Sequence, residues 1–330
     1  MTRFVLMIPS GAVTGGPECM HQLSDALLRL GHDAHVWYVD RRQARVLDGH
    51  TQKRQTILGS RLNFGTPTPP PDEYAHYRVR PCTGPWTIDR DTVFVIPEVF
   101  VQWTPIFAGT RLVIWWLSVD NGLAALGTVN LNGLRRQGIF NVTQSRYAAG
   151  FVRALGLTLA GPLYDYTPLD PPPQAMQSTD GPARVAINGR PGKVRIDPHA
   201  LQAVIEARTG LQAQVIAGLT REQVYALLGA SSVYVDLGTF PGKDRMPREA
   251  MLRDCIPLLR QAGAAACGDF DLPAVCLLED EEDFEAIAAR CHTLVRERAA
   301  LLAQIAPARH ALRREREVFD GQVQALTAMV

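Results

Sequence analysis

The segment from Gly238 to Met251, GTFPGKDRMPREAM, places three cations and a carboxylate between the end of a predicted strand and the opening of a predicted helix. Backbone N–H groups at a helix start, reinforced by positive charge, suit the phosphates of a sugar diphosphate. A carboxylate beside them can accept hydrogen bonds from ribose or sugar hydroxyls. Lys243, Arg245 and Arg248 supply the charge and Glu249 the acceptor. A plainer reading of the same residues is that Glu249 complements the helix dipole while the cations are solvated. A second basic element, INGRPGK from Ile187 to Lys193, follows another predicted strand. In a doubly wound domain the carboxyl ends of strands line the ligand crevice, so Arg190 and Lys193 can converge on the same phosphates. Taken singly, that loop also reads as a tight turn with two exposed cations.

Other chemistries lack their residues. The histidines show neither HxxxH nor HExxH spacing, and GxSxG and GxxxxGK[ST] motifs are missing, which argues against a zinc hydrolase, a serine hydrolase and a P-loop kinase. Six cysteines stand far apart with no CxxC pair, so they read as reduced, buried thiols of a cytosolic protein. Lys plus Arg number 34 against 33 Asp plus Glu, so no general attraction to nucleic acid or an anionic membrane is expected and any anion site must be local. The richest apolar run, RLVIWWLSV, is broken by Asp120 and Asn121, so no spanning helix is expected.

The elements that must position these residues alternate. Phe4 to Ile8 is a continuous apolar run suited to a parallel strand, and Gly11, Gly15 and Gly16 loosen the loop before a helix. Met20, Leu23, Leu27 and Leu30 mark that helix's buried face, Gly31 ends it, and His35 to Val39 reads as the second strand. Residues 41–90, with Pro67, Pro69, Pro70 and Pro71, read as a loop-rich insertion. Strand patterns return at Thr92–Ile96, Leu112–Trp116 and Gly138–Val142. A proline-rich stretch, 164–182, reads as a linker between an N-terminal domain, 1–163, and a C-terminal one, 183–330.

In the second domain, Arg184–Asn188, Ala213–Ile216 and Ser232–Asp236 read as strands, and Ala200–Ala207 as a helix. Thr220 and Gln223 predict a capping box, and Pro247 is placed at a first helical position. Phe284, Ile287, Cys291 and Leu294 share a face in a helical C-terminal segment. The fold class is therefore α/β, with two Rossmann-like halves.

In this order the elements resemble the retaining glycosyltransferases of the GT-B fold, particularly the family 4 type. TGGPECMHQLSDALLRLGHDAHVWYV is similar to that family's glycine-rich loop, helix and Gly-His-x-x-x-Val strand, and INGRPGK resembles its Gly-Arg…Lys phosphate-binding segment. VIAGLTREQVYALLGASSVYVDLG matches the strand, helix and strand before the donor loop, and PREAM matches the proline and second glutamate of the paired-glutamate motif. The resemblance implies two facing domains, a nucleoside diphosphate sugar as donor, and a donor contact at Glu249. One position departs: eight residues before Glu249, where the family has its first glutamate, stands Pro241, with Asp244 the nearest acid to replace it.

Such a fold would hold the acceptor on its first domain. There Gly15 and Gly16 let backbone approach the donor diphosphate or an acceptor hydroxyl, while Glu18 reads as a dipole-capping residue. Ser118, Asp120 and Asn121, after the Trp115-Trp116 strand, are the acceptor candidates, and Asp120 and Glu249 the candidate catalytic residues. At least one of the two tryptophans reads as strand core. Thr143, Gln144, Ser145 and Arg146 follow another strand, with Thr143 placed to cap the next helix. The expected partners are a nucleotide sugar and a glycan or lipid-linked glycan, without nucleic acid, metal or further cofactor, in the cytoplasm with peripheral membrane contact allowed. Two rivals stand. One is a non-catalytic GT-B-like binding protein, motivated by Pro241. The other is an NAD(P)-dependent oxidoreductase, whose fingerprint Gly11-x-x-x-Gly15-Gly16 only imitates.

Overall fold

Continuous apolar runs separated by amphipathic segments can bury themselves only as parallel strands covered on both faces, and the computed structural model has two such sheets. It describes residues 2–169, 183–279 and 283–330. The chain divides into two compact units: Met1–Asp165 with Glu317–Val330, and Tyr166–Arg316. The sequence reading ran the second domain to residue 330, whereas Glu317–Val330 groups with the first unit. Of the expected linker, residues 170–182 lie outside the described residues.

In the first unit the strands are β1 (Arg3–Pro9), β2 (Asp33–Val39), β3 (Arg61–Asn63), β4 (Pro85–Thr87), β5 (Thr92–Pro97), β6 (Arg111–Trp116), β7 (Phe140–Thr143) and β8 (Leu159–Pro162). The helices are α1 (Gly15–Arg29), α2 (Arg41–Gln52), α3 (Val119–Leu126), α4 (Leu131–Arg136) and α5 (Arg146–Ala154). The main sheet is parallel in the order β2-β1-β5-β6-β7-β8, and β3 and β4 form a separate antiparallel pair. Because β1 is followed by β2 on one side and β5 lies on the other, strand order reverses between β1 and β5. Their carboxyl ends mark where a doubly wound sheet binds ligands.

Residues 41–90 are less irregular than their sequence suggests. Asp40 accepts from the Gln43 N–H while Gln43 reaches back to the Asp40 N–H, a capping box that starts α2. Leu47 is the helix's only buried residue among those described, which explains the weak periodicity. Farther on, Ser24 donates to the Arg78 carbonyl, Asp25 accepts from the Arg78 N–H, and the N–H of Val36 donates to Arg80 while that of Cys82 donates to Val36. This stitching covers the second face of α1, so His21, Gln22, Ser24 and Asp25 are buried alongside the leucines. Both Trp115 and Trp116 are core, donating to the Leu163 carbonyl and to Asn141 respectively.

The second unit contains β9 (Arg184–Asn188), β10 (Gln212–Ile216), β11 (Val233–Asp236), β12 (Ile256–Arg260) and β13 (Leu277–Leu278), parallel in the order β10-β9-β11-β12-β13. Its helices are α6 (Pro198–Thr209), α7 (Arg221–Gly229), α8 (Arg245–Leu252), α9 (Gly263–Ala266), α10 (Phe284–Arg296), α11 (Arg298–Gln304) and α12 (Ala306–Arg313). The last helix, α13 (Glu315–Met329), joins the first unit from Glu317 onward. The Thr220–Gln223 capping box opens α7 as its sequence predicts, and Ile287, Cys291 and Leu294 are buried on α10. Helix α8 begins two residues before the expected position: Asp244 is its N-cap and Pro247 lies within the first turn, where a missing N–H costs nothing. Here the order reverses between β9 and β11. Five cysteines are buried, but Cys267 is exposed, contrary to the expectation of uniformly buried thiols.

Candidate functional site

The two basic loops read separately in the sequence meet at the switch point of the second unit. The Asn188 side chain, at the end of β9, accepts from the Arg190 N–H (3.1 Å) and bonds the Asp236 carboxylate at the end of β11. Asp236 also accepts from the Tyr234 hydroxyl (2.6 Å) and the Gly238 N–H (3.0 Å). Burial raises the Asp236 pKa, opposed by those donors. These bonds fix the strand ends from which both loops start. Lys193 then reaches across to Asp244 at 2.8 Å, while Arg190 is exposed and has no side-chain partner among the described residues.

Gly189 is required at this turn by space: a Cβ there would lie 2.3 Å from Cγ1 of Val215. Gly189→Ala is expected to cost about 1–3 kcal/mol by overpacking. Urea denaturation checks it, and an unchanged midpoint would show that the neighbouring strand yields freely.

Asp244 caps α8 without a side-chain bond to the helix, leaving the amides of the first turn without a side-chain acceptor from their N-cap. Glu249 is buried on α8 and accepts from the Tyr225 hydroxyl at 3.0 Å. Tyr225 in turn accepts from Arg221 (2.7 Å) and carries the Arg253 guanidinium 3.8 Å from its ring centroid. Arg245 is half-buried. Lys243 and Arg248 are engaged elsewhere. Arg248 is fully buried, and both donate to Glu315 (3.0 and 3.1 Å), which also accepts from the Thr167 N–H and hydroxyl. The Arg248 guanidinium further donates to the Lys243 and Asp244 carbonyls, so it shapes the loop from within. Pro241, standing where the resemblance implies a glutamate, is buried beside Phe240, whose φ of 49° is left-handed.

In the first unit, Gly15 and Gly16 form the start of α1, where the N-cap Thr14 makes no side-chain cap bond. Beyond its chain neighbours and its own helix backbone, no atom of the described residues lies within 4 Å of a Cβ built on Gly15, so the backbone there is open to close approach. Ser118 is the N-cap of α3, again without a side-chain cap bond, and its hydroxyl is buried with no partner among the described residues. Asp120 is exposed and accepts from Tyr147 (3.2 Å), and Asn121 is exposed. Glu18 accepts from the Tyr77 hydroxyl (2.9 Å). Ser145 rather than Thr143 caps α5, and Gln144 is turned inward to Asp165 (2.8 Å).

Sequence reasoning passed over two features of this unit. A cavity of about 380 Å³ opens where β1 and β2 end, lined by Ser10, His21, Tyr38 and the Pro69–Pro71 wall among others. His21 bonds Tyr38 through Nε2 (2.8 Å) and the Pro17 carbonyl through Nδ1 (2.7 Å), and burial lowers its pKa. The other feature is Glu98, directly after β5. It accepts from the Leu117 N–H at 2.8 Å and braces the turn that carries Ser118. Gly122 gives it room: a Cβ there would sit 2.7 Å from the Glu98 Cγ.

Burial pushes the Glu98 carboxyl up to about 7 from its ordinary 4.5, against the pull of the Leu117 and Ser118 N–H groups. Between those values the folded chain holds a proton that the unfolded chain has lost. This contribution to stability is therefore full below 4.5, is lost as pH rises to about 7, and is flat beyond. Glu98→Gln is expected to remove a slope of up to about 1.4 kcal/mol per pH unit in that window. Urea midpoints across the range test it, and identical slopes in the two proteins would refute it.

No family model and no curated protein matches the chain. Solved structures do. Anabaena HepE in complex with UDP-glucose is similar over 100% of both chains at 13% identity, with a TM-score of 0.63. Sucrose-phosphate synthase from Thermosynechococcus elongatus is similar over 100% of this chain and 99% of its own, at 11% identity and a TM-score of 0.63. TarM is similar over 98% of both chains at 7% identity and a TM-score of 0.62. A mutant of S. aureus TarM, solved with UDP among its ligands, is similar over 99% of both chains at 7% identity and a TM-score of 0.63. The two parallel sheets with reversed strand order and the full-length similarity together give this chain the GT-B fold.

Proposed function

We propose that the protein is a glycosyltransferase that moves a sugar from a nucleoside diphosphate sugar to a hydroxyl of a glycan or lipid-linked glycan, in cytoplasmic synthesis of a surface polysaccharide or glycoconjugate. The observation that carries this reading is the Lys193–Asp244 bridge, which brings the Arg190 loop to the start of α8 at the switch point of the second unit. The GT-B fold, and the UDP-glucose bound in HepE, agree with it. Arg190 and Lys193 stabilise the charge that develops on the leaving diphosphate, helped by the first-turn amides of α8. Glu249, oriented by Tyr225, accepts hydrogen bonds from the donor, and Arg245 lies on the same helix turn. Lys243 and Arg248 serve the site through Glu315, by holding the loop. Asp244 takes the place of the family's first glutamate by aligning Lys193.

On the first unit, Gly15 and Gly16 offer backbone to a phosphate or acceptor hydroxyl, and Ser118, Asp120 and Asn121 contact the acceptor. Asp120 and Glu249 are the candidates for the chemical step. The cations neutralise the leaving group in this scheme, so no metal or further cofactor is assigned. Thermal-shift measurements with UDP-, GDP- and dTDP-sugars and with NAD(P), followed by transfer and donor-hydrolysis assays, test the reading. Stabilisation by a sugar nucleotide with turnover is expected, and stabilisation by NAD(P) alone would overturn it. Buried Pro241 favours one other reading, a GT-B-like protein that binds without turnover. Sugar-nucleotide binding with neither transfer nor hydrolysis would select it.

A further inference from the structure

The cavity at the ends of β1 and β2 lies wholly within the first unit and includes none of the residues assigned to the donor or the acceptor. One side of it is the Pro69–Pro71 wall, part of the 41–90 stretch that carries none of the glycosyltransferase-like motifs. That wall is held in place from its downstream end. The Tyr74 hydroxyl donates to the Thr14 carbonyl at 2.8 Å, and the Tyr77 hydroxyl to Glu18 at 2.9 Å. The Tyr74 ring also packs 4.5 Å from the His21 ring beneath the cavity. The cavity is therefore preformed, which lowers the ordering cost of filling it.

Its hydrogen-bonding character is lopsided. Pro9 and the three prolines of the wall carry carbonyls but no N–H, and Asp72 adds a carboxylate. Among the described residues, no lysine or arginine lines the cavity. His21 supplies no positive charge either: Nδ1 donates to the Pro17 carbonyl, so Nε2 accepts from the Tyr38 hydroxyl, and burial lowers the pKa. A ligand must bring donors of its own, and a phosphate would meet the Asp72 carboxylate with no cation to offset it. Beside the acceptors, Ile8, Tyr38 and the pyrrolidine rings supply apolar surface. A sugar ring, with hydroxyls at its edge and C–H groups on its faces, satisfies both demands.

We propose that this cavity holds an uncharged sugar ring of the acceptor other than the ring that reacts, so that the acceptor is an oligosaccharide; the acceptor role rests on the transferase reading. In the sheet β1 stands two strands from β6, and β2 three. At about 4.8 Å per strand, the cavity lies roughly 10–14 Å from the turn that carries Ser118 and Asp120. One ring is too short to reach from one to the other, whereas a chain of two or three spans the gap.

Saturation-transfer NMR of the full chain with methyl α-glucopyranoside, lactose, maltotriose and cellotriose reads the binding, with glucosamine and inorganic phosphate as charged comparisons. At least one neutral sugar is expected to bind, to stay bound under saturating UDP, and to be lost in T68W, which fills the cavity from its rim. D72A should weaken binding about ten-fold, the scale of one hydrogen bond to a charged group. Both positions are exposed, and circular dichroism verifies that the variants fold. No binding of any neutral sugar, binding unaffected by either variant, displacement by UDP, or stronger binding of phosphate or glucosamine in the cavity would overturn the proposal. In transfer assays with the donor found by thermal shift, T68W should raise the KM of the oligosaccharide with little change in kcat or in the donor KM. An unchanged oligosaccharide KM would overturn the acceptor role. Neutral-sugar binding without any sugar-nucleotide binding would count against the transferase reading and still support a carbohydrate site here.

Discussion

Glu315→Ala is expected to destabilise the second unit by about 3–5 kcal/mol, because it takes a carboxylate away from a buried guanidinium. The Arg248 guanidinium is 0% exposed, and Glu315 lies 3.1 Å from it. The same substitution removes the acceptor for Lys243 and for the Thr167 N–H and hydroxyl. Hydrogen exchange at the α8 amides, together with urea unfolding, measures the loss. Replacing both partners, as in R248M/E315L, should recover a large part of it, since a buried pair exchanged for apolar groups of similar volume is often neutral. A loss below about 1 kcal/mol for Glu315→Ala would show that water reaches Arg248 readily, contrary to its burial.

Arg190→Ala is expected to lower turnover about 10²- to 10³-fold while leaving the fold intact. The magnitude is that of removing one preorganised donor from developing charge. The fold should survive because Arg190 is exposed and its side chain has no partner to lose among the described residues. Lys193→Ala differs in kind, since it also releases Asp244 at the N-cap of α8 and should raise the donor KM along with its effect on kcat. Steady-state kinetics against the donor identified by thermal shift separate the two. Unchanged kinetics in a folded Arg190→Ala protein would remove this residue from the site.

What the sequence reveals here depends on range. Local signals read well: the apolar run of β1, the Thr220–Gln223 box and the buried face of α10 are set by neighbours within a turn or two. Helix α2 escapes because it buries one leucine and otherwise faces solvent, although its capping box is written in Asp40 and Gln43. The cations of the donor loop show the limit most clearly. Lys243, Arg245 and Arg248 look alike in sequence, yet Arg248 is fully buried and both it and Lys243 are drawn to Glu315, 67 and 72 residues away, while Arg245 is half-buried. Glu98 and Asp236 are equally invisible there, since their importance lies in the backbone amides they accept from and in burial. The spacing of charges picked out two loops, the fold brings them together at Lys193 and Asp244, and burial decides which of their charges face solvent.

The uneven exposure of the thiols turns the native chain into its own unfolding gauge. Cys267 is open to reagent, although its thiol is pushed upward by partial burial and by Asp269. Cys19 and Cys82 lie inside the first unit, and Cys255, Cys276 and Cys291 inside the second. Burial raises the pKa of Cys82, Cys255, Cys276 and Cys291, to about 12 for the last two, so these react only on opening. A mass-resolved alkylation time course would therefore register one adduct from the intact protein. Each later increment could be assigned by peptide to one half of the chain, giving separate opening rates without an introduced label.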